Sequence, residues 1–539
     1  MKMNFKKNMA TLLVAVMIII AFSNMAYAKT NTSNEKENSF TVNNTTMIGS
    51  KKTVTGVLSS VNAVPIQAAG NNVTYHTEAE IRAYLKSSGA TADNPVTFKE
   101  QPSTKVPYEA GSITDETLNS ALKMLNQIRY IAGVSYNVTL NDEYIAKTQA
   151  ASIVNSVNND LTHNPVKPLD MEETLYQLGA KGAGSSNIAA GYETINSSLV
   201  YGYMEDGDSS NIDRVGHRRW ILNPKMSATG FGYCDGYSAM YAFDRDNISA
   251  SEYGVAWPAQ TMPTDYFGTD YPWSLSMGYD VSKENVQVTL VRLRDNRTWN
   301  FGNSAADGYF NVNNDGYGQP GCIIFRPDDI ETYLNGDQFQ VTITGLNAPV
   351  SYQVSFFDLI PVTSVKINKN DTKILKGSEI YLESIIAPSD ASNQRIDWTS
   401  SDESVAVVSE YGAIEGINYG KATISATSLS NELTATYEIT VVPGSIDINN
   451  ITSKKKGQIT VSYQSNKTVS GYEIVYATNE KFTKNKKTKV VNKATTSKVT
   501  INGLKSGQVY YVKIRSYVLK NGQKIYSDYG YTDYSWVNK

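Results

Sequence analysis

Apolar positions divide the chain before any chemistry is considered. Leu118, Leu122, Leu125 and Ile128 recur at helical spacing behind Asp115 and Glu116, which predicts a helix from Thr114. A second helix is predicted from Asn141 to about Asn158, again with acids, Asp142 and Glu143, in its first turn. "MEETLYQLGAKG" and "ETINSSLVYGYME" predict a third and a fourth. Upstream, "TEAEIRAYLKSSG" carries a capping box, Thr77 with Glu80, and a glycine stop at Gly89. Pro95, Pro102 and Pro107 then predict a linker. After His217 the pattern changes to strands: "RRWIL", "ATGFGY" and "SAMYAFD". Helices first and strands later predict an α+β domain, or a three-layer one.

The rest of the chain is patterned for strands. "VQVTLVRL", "RTWNF", "CIIF", "FQVTITGL" and "VSYQVSFF" alternate, with "RDNR" as a hairpin turn. They predict a β-rich extension over 249–360, packed on the α+β domain or standing as a separate small domain. Residues 361–443 show short strands at the turn spacing of an all-β sandwich. A chain of 539 residues is too long for one core, and 41% hydrophobic with 19% charged residues describes a globular protein. The net charge of −3 gives no global electrostatic case for nucleic acid, and none is expected as a partner.

The first 28 residues are patterned differently. "MKMNFKKN" is basic, "MATLLVAVMIIIAF" is apolar, and "AYA" ending at Ala28 has a small-x-small form. Together they predict a signal peptide over 1–28, an exported product with no transmembrane segment after cleavage, and a leader or linker over 29–110 with one short helix. Export permits a disulfide, and whether Cys234 and Cys322 form one is left open.

Three histidines exist: His76, His163 and His217. His76 has no evident partner and reads as a surface residue. His163, in "LTHNP", and His217, in "GHRRWILNPKMSATGFGY", lie at the ends of predicted elements in one small domain. With "SSNIAAG" and "LVYGYME" between them, residues 111–248 resemble a CAP domain, the fold of cysteine-rich secretory proteins. "DGDSSNIDRV" before Gly216 is an extra loop. The resemblance implies a three-layer α-β-α fold and an open cleft holding two histidines and up to two acids, where several members bind a divalent metal.

Carried over by residue, the histidines are His163 and His217. The first acid is missing, because Ser186 stands in its place, followed by Asn187. The family tryptophan corresponds to Tyr203 and the second acid to Asp206, with Glu205 adjacent. His163, His217 and Asp206 are therefore the implied metal set, with zinc the most plausible ion. Ser186, Asn187, Tyr203 and Arg218 are expected to line the cleft. A metal-dependent hydrolase, a peptidase or nuclease with His163, His217 and Glu205 as catalytic candidates, is the alternative. The lost acid favours binding of a small ligand, lipid or metal over catalysis. Arg214, Arg218 and Arg219 are expected to pair with nearby acids, with an anionic ligand as the alternative.

Residues 361–443 resemble a bacterial immunoglobulin-like domain of group 2, which implies Trp398 as a buried core tryptophan. Residues 444–539 resemble a fibronectin type III domain, which implies Leu504 and Tyr510 at a tyrosine corner. "KFTKNKKTK" reads as a solvated hairpin edge, with anionic wall polymer as an alternative partner. The expectation is a multidomain, extracellular bacterial protein, held to a cell-wall or host-surface component by its two C-terminal sandwiches.

Overall fold

The computed structural model describes residues 73–304, 307–368 and 372–539. The signal peptide expected at 1–28 and the first part of the leader lie outside these residues.

The capping box at Thr77 forms. The Glu80 carboxylate accepts from the Thr77 N–H at 2.7 Å, and the Thr77 hydroxyl accepts from the Glu80 N–H at 3.3 Å. They start helix α1, Glu78–Ser88, which Gly89 closes at φ +69°. Ile81 is fully buried, so α1 is docked rather than carried on a loose leader. His76, expected at the surface, is half-buried. Its ring stacks on Tyr130 at 3.7 Å, and Tyr130 in turn stacks on Tyr84 at 4.0 Å. The aromatic partner lies 54 positions away, beyond any local signal.

Helices α2 (Asp115–Ile131), α3 (Asp142–Asn158) and α4 (Glu173–Gly184) lie where the apolar pattern predicts. Thr114 and Asn141 cap the first two, their side chains accepting from the N–H of Thr117 and Tyr144. The strands Ser186–Ala190 and Phe231–Cys234 flank Tyr237–Tyr241 in an antiparallel sheet. Alternation along these strands sorts the layers. Ile188 and Ala239 bury with Ala151 of α3 and Ala183 of α4. Ala189, Phe231 and Met240 join the core that holds Leu125 and Ile128 of α2. The result is helices on both faces of a small sheet. A Cβ on Gly232 would sit 2.2 Å from the Thr148 carbonyl group, so glycine is what lets the sheet approach α3.

Two segments differ from the sequence reading. The fourth helix is a short turn, α5 (Ile195–Ser197), continuing as a π-helix over Ser198–Tyr203. "RRWIL" is not a strand: Gly216–Ile221 is a short helix, α6, with His217 in its first turn.

The extension is a sandwich of a four-stranded and a five-stranded sheet around Trp257, Trp273, Trp299, Phe325 and Phe356. Its core is continuous with that of the α+β domain, one cluster running from Val73 to Phe357. At its far end lies Asp358, fully buried. Its carboxylate accepts from Thr264 of the extension at 2.6 Å and from Ser430 of the next domain. Burial raises its pKa, and these two bonds oppose the rise.

The third region packs strands around Ile414, Ile424, Ile439 and Val441. Trp398 is only half-buried there. Its strand, Ile396–Ser400, pairs on one side only, with Gly420–Ser428, so the indole covers the rim of the core. The last domain sets Ile448–Thr452, Gln458–Tyr463 and Lys498–Asn502 against a sheet built on Gly471–Ala477 and Val509–Lys520. The Tyr510 hydroxyl accepts from the Lys505 N–H at 3.3 Å, which is the tyrosine corner. Cys234 and Cys322 are free, buried thiols and form no bridge.

Candidate functional site

The short helix α6 has unusual local support. Val215 precedes it at φ +44°, a left-handed conformation that is rare for a β-branched residue, and offers no side-chain cap. The cap comes from elsewhere. Asp206, itself at φ +48° and buried, accepts from the Arg218 N–H at 2.9 Å through Oδ2. Its Oδ1 lies 2.8 Å from Nδ1 of His217. One carboxylate therefore caps the helix and fixes the imidazole. Burial lowers the His217 pKa and Arg214 lowers it further, but the Asp206 charge and hydrogen bond outweigh both and hold it above the usual histidine value.

Arg218 is fully buried behind this pair. Its guanidinium donates to the carbonyls of Met204 at 2.9 Å, Pro272 at 2.5 Å and Glu205 at 2.6 Å. Burial lowers its pKa to about 10, leaving it cationic at neutral pH. Arg219 donates to Asn313 at 2.6 Å and to the carbonyls of Gln319 and Asp315, which ties α6 to the extension. Of the three arginines expected to pair with acids, only Arg214 does so side chain to side chain, with Asp213 at 3.0 Å.

His163 and His217 meet at one cleft of about 380 Å³. His163 Nδ1 lies 2.7 Å from the Ala183 carbonyl oxygen, so both imidazoles are pinned through Nδ1 and keep Nε2 unspent. Ser186 and Asn187 line the same cleft. Asn187 donates to the His217 carbonyl at 2.9 Å, whereas the buried Ser186 hydroxyl has no protein partner. Arg214 and Asn211 complete the polar side. Leu161, Ile188, Trp220, Phe243 and Tyr317 form an apolar wall. Tyr317 comes from the extension, and no local sequence signal could have placed it here.

Other sequence candidates lie outside the cleft lining. Tyr203 packs behind His217, with ring centroids 5.6 Å apart, and its buried hydroxyl donates to the Asn187 carbonyl at 3.1 Å. Arg218 is sealed beneath α6. Glu205 faces away toward Asp270 and Asp208, where burial and these charges raise its pKa. Asp206 has both oxygens engaged. No Asp or Glu is among the described residues that line the cleft. No group of three or more His, Cys, Asp or Glu among the described residues is arranged to hold a metal ion. The donors that fit a divalent cation are thus two imidazole nitrogens, one fewer than the three protein ligands of a catalytic zinc site.

Residues 122–249 match the model of the cysteine-rich secretory protein family, CAP. The chain carries a CAP domain. Residues 361–439 match the bacterial Ig-like domain of group 2. Both domains are of an extracellular type, and no helix among the described residues is long and apolar enough to cross a membrane.

Curated relatives match over single stretches. An uncharacterized protein of Clostridium acetobutylicum is 30% identical over 100 residues, 18% of this chain and 10% of that protein. An alpha-L-arabinofuranosidase of Bifidobacterium longum is 32% identical over 116 residues, 22% of this chain and 9% of the enzyme. An A type blood N-acetyl-alpha-D-galactosamine deacetylase of Flavonifractor plautii is 38% identical over 87 residues, 16% of this chain and 11% of the enzyme. The chain thus spans about a tenth of the length of these relatives. Among solved structures, a segment of titin is 12% identical, covers 50% of this chain and 93% of its own, and has a TM-score of 0.16. The FN5 domain of Drosophila Lar is 19% identical, covers 18% of this chain and 99% of its own, and has a TM-score of 0.15.

Proposed function

We propose that the protein is exported and that its CAP cleft binds a small amphipathic ligand bearing an anionic head. The observation that carries this reading is the composition of one cleft. An aromatic and aliphatic wall faces two imidazoles with unspent Nε2 atoms, beside an unpartnered Ser186 hydroxyl. The raised pKa of His217 extends upward in pH the range over which its imidazolium offers an Nε2–H to an anionic head. Ser186, standing where the resemblance implies an acid, favours binding over metal-dependent hydrolysis, because the described lining then offers a metal two imidazoles and no carboxylate. The sandwiches that follow act as attachment modules.

A divalent cation is the second reading. It is favoured by the pinning of both Nδ1 atoms to acceptors, the usual backing of a metal-ligating histidine. Two protein nitrogens alone would leave most of the coordination to water or ligand oxygen.

Calorimetric titration of the full chain with decanoate, and separately with zinc chloride, distinguishes the two readings. Decanoate binding that is lost in the His163→Gln, His217→Gln double variant supports the first reading. Zinc binding alone, lost in the same variant, transfers the assignment to the second. No heat with either probe, or equal heat in both proteins, overturns both.

A further inference from the structure

The near-neutral whole chain conceals an uneven distribution of charge. Residues 444–539 hold seventeen Lys and Arg against five Asp and Glu, a net +12, which leaves −15 on all the rest. Two of those five acids are already paired. Glu473 lies 2.6 Å from Arg515, and Asp528 lies 2.5 Å from Lys373 of the preceding domain. Lys481, Lys484, Lys486, Lys487 and Lys489 are exposed, and among the described residues no ion pair reaches any of them. They follow the turn after Gly471–Ala477 into Lys487–Val491, which is an edge strand. A single lysine suffices to guard an edge against pairing. Five in nine residues exceed that need.

Beside this edge is a polar cleft of about 310 Å³. Lys487 enters it from the edge strand, and Lys505 from the turn after Lys498–Asn502, in the opposite sheet. Asn485 and Gln508 add amides, and Tyr476 and Tyr510 add rings with hydroxyls. Two cations thus converge from separate elements on a space the size of a sugar ring, and lysines continue outward along the strand. Lys487 and Lys489 project about 7 Å apart on one side of the strand, a spacing that anions along an extended polymer can follow.

We infer that this cleft and its lysine edge bind an anionic extracellular glycopolymer, with one sugar seated between Lys487 and Lys505 and its repeating phosphate or uronate groups along the strand. The inference rests on the reading of the C-terminal sandwiches as attachment modules and names what they attach to. Amides and phenols beside the cations suit sugar hydroxyls. Single-stranded nucleic acid would call for a row of exposed rings along the track. A membrane surface could not enter the cleft.

The test uses the full chain and a variant carrying Lys484→Gln, Lys486→Gln, Lys487→Gln, Lys489→Gln and Lys505→Gln, all exposed positions. Binding is measured to immobilised polygalacturonate, wall teichoic acid, neutral dextran and duplex DNA. The wild type should hold one or both anionic glycopolymers and not dextran, and salt should weaken it steeply between about 0.05 and 0.5 M. The variant should bind at least tenfold more weakly. Retention on teichoic acid alone assigns phosphate, and on polygalacturonate alone assigns carboxylate; either supports the inference. No retention on either, equal binding by the variant, or tighter binding to DNA overturns it. A His163→Gln, His217→Gln variant should bind the polymers normally, so failure here is separable from failure of the CAP cleft. Equal retention by the lysine variant would leave attachment standing and remove this site from it.

Discussion

Replacing Asp206 by asparagine tests the central geometry of the cleft. Asp206 serves three charges or partial charges at once: the His217 imidazole, the Arg218 N–H at the start of α6, and the buried Arg218 guanidinium. Asparagine keeps the shape but offers one acceptor and no charge, so it can still accept from the Arg218 N–H only by turning its own N–H toward His217 Nδ1, and the charge-assisted bond to the imidazole is lost. Loss of one charge-assisted bond costs about 1.5–3 kcal/mol. The uncompensated Arg218 adds to this, and loss of a partner from a buried pair costs about 3–5 kcal/mol in all. The sign with pH follows from His217. Its folded pKa is raised, so the stabilisation it gains from Asp206 is full below the unfolded value of about 6.5 and is lost as pH rises through the folded value. The variant lacks that contribution at every pH. Its deficit is therefore expected to be largest in acid, about 3–5 kcal/mol near pH 5.5, and to narrow as pH rises through the folded His217 value, leaving the part owed to the cap bond and to Arg218, which stays cationic.

Differential scanning calorimetry of the full chain over that range measures the deficit, at about 2 °C per kcal/mol for a unit of this size. Because the chain has three histidines, NMR titration of their ring protons follows His217 directly, and its pKa should fall in the variant. A deficit that is flat with pH, or that grows toward alkali, would refute the pairing. So would an unmoved His217 titration.

Other substitutions and reagents address the scaffold. Gly232→Ala should destabilise the CAP domain by about 1–3 kcal/mol, because its Cβ meets the Thr148 carbonyl group at 2.2 Å; a melting temperature within a degree of wild type would contradict the contact. Cys234 and Cys322 are free and buried, and burial raises the Cys234 thiol to about 11. The native protein should therefore react slowly with a thiol reagent, and two equivalents should react at once after denaturation without reductant. Intact-mass analysis showing a bridged, unreactive chain would count against this. Trp220→Ala should weaken decanoate binding at the CAP cleft by roughly tenfold through the lost apolar wall while leaving polymer retention unchanged.

The elements that were legible are those specified locally. α2 and α3 carry their caps, first-turn acids and apolar stripe within a few residues of one another. The capping box of α1 is likewise self-contained. α6 was misread because its stability is not local: "RRWIL" is rich in strand formers, Val215 gives no cap, and the Asp206 cap lies ten residues before the helix begins. The same non-local contact explains why Asp206 reads as a ligand in the sequence yet stands behind the imidazole in the fold. His163, His217, Ser186 and Asn187 were placed together by motif order. Trp220, Phe243 and Tyr317, which build the opposite wall, were not, since an aromatic residue in a strand-rich sequence carries no mark of which cavity it will face. Trp398 illustrates the same limit, because its burial depends on how far neighbouring strands extend.

The buried carboxylate of Asp358 has a mechanical consequence. It bolts the end of the last extension strand to the Ig-like sandwich through Ser430, while Ser392 and Ile360 exchange two further bonds across the seam. Such a seam behaves as a lap joint rather than a tether. Tension applied at a surface-held C-terminus would be delivered in shear to the extension core, with no slack to absorb it. Because that core runs on into the CAP domain, and the extension also lends Tyr317 to the cleft, the load path passes beside the mouth of the cleft.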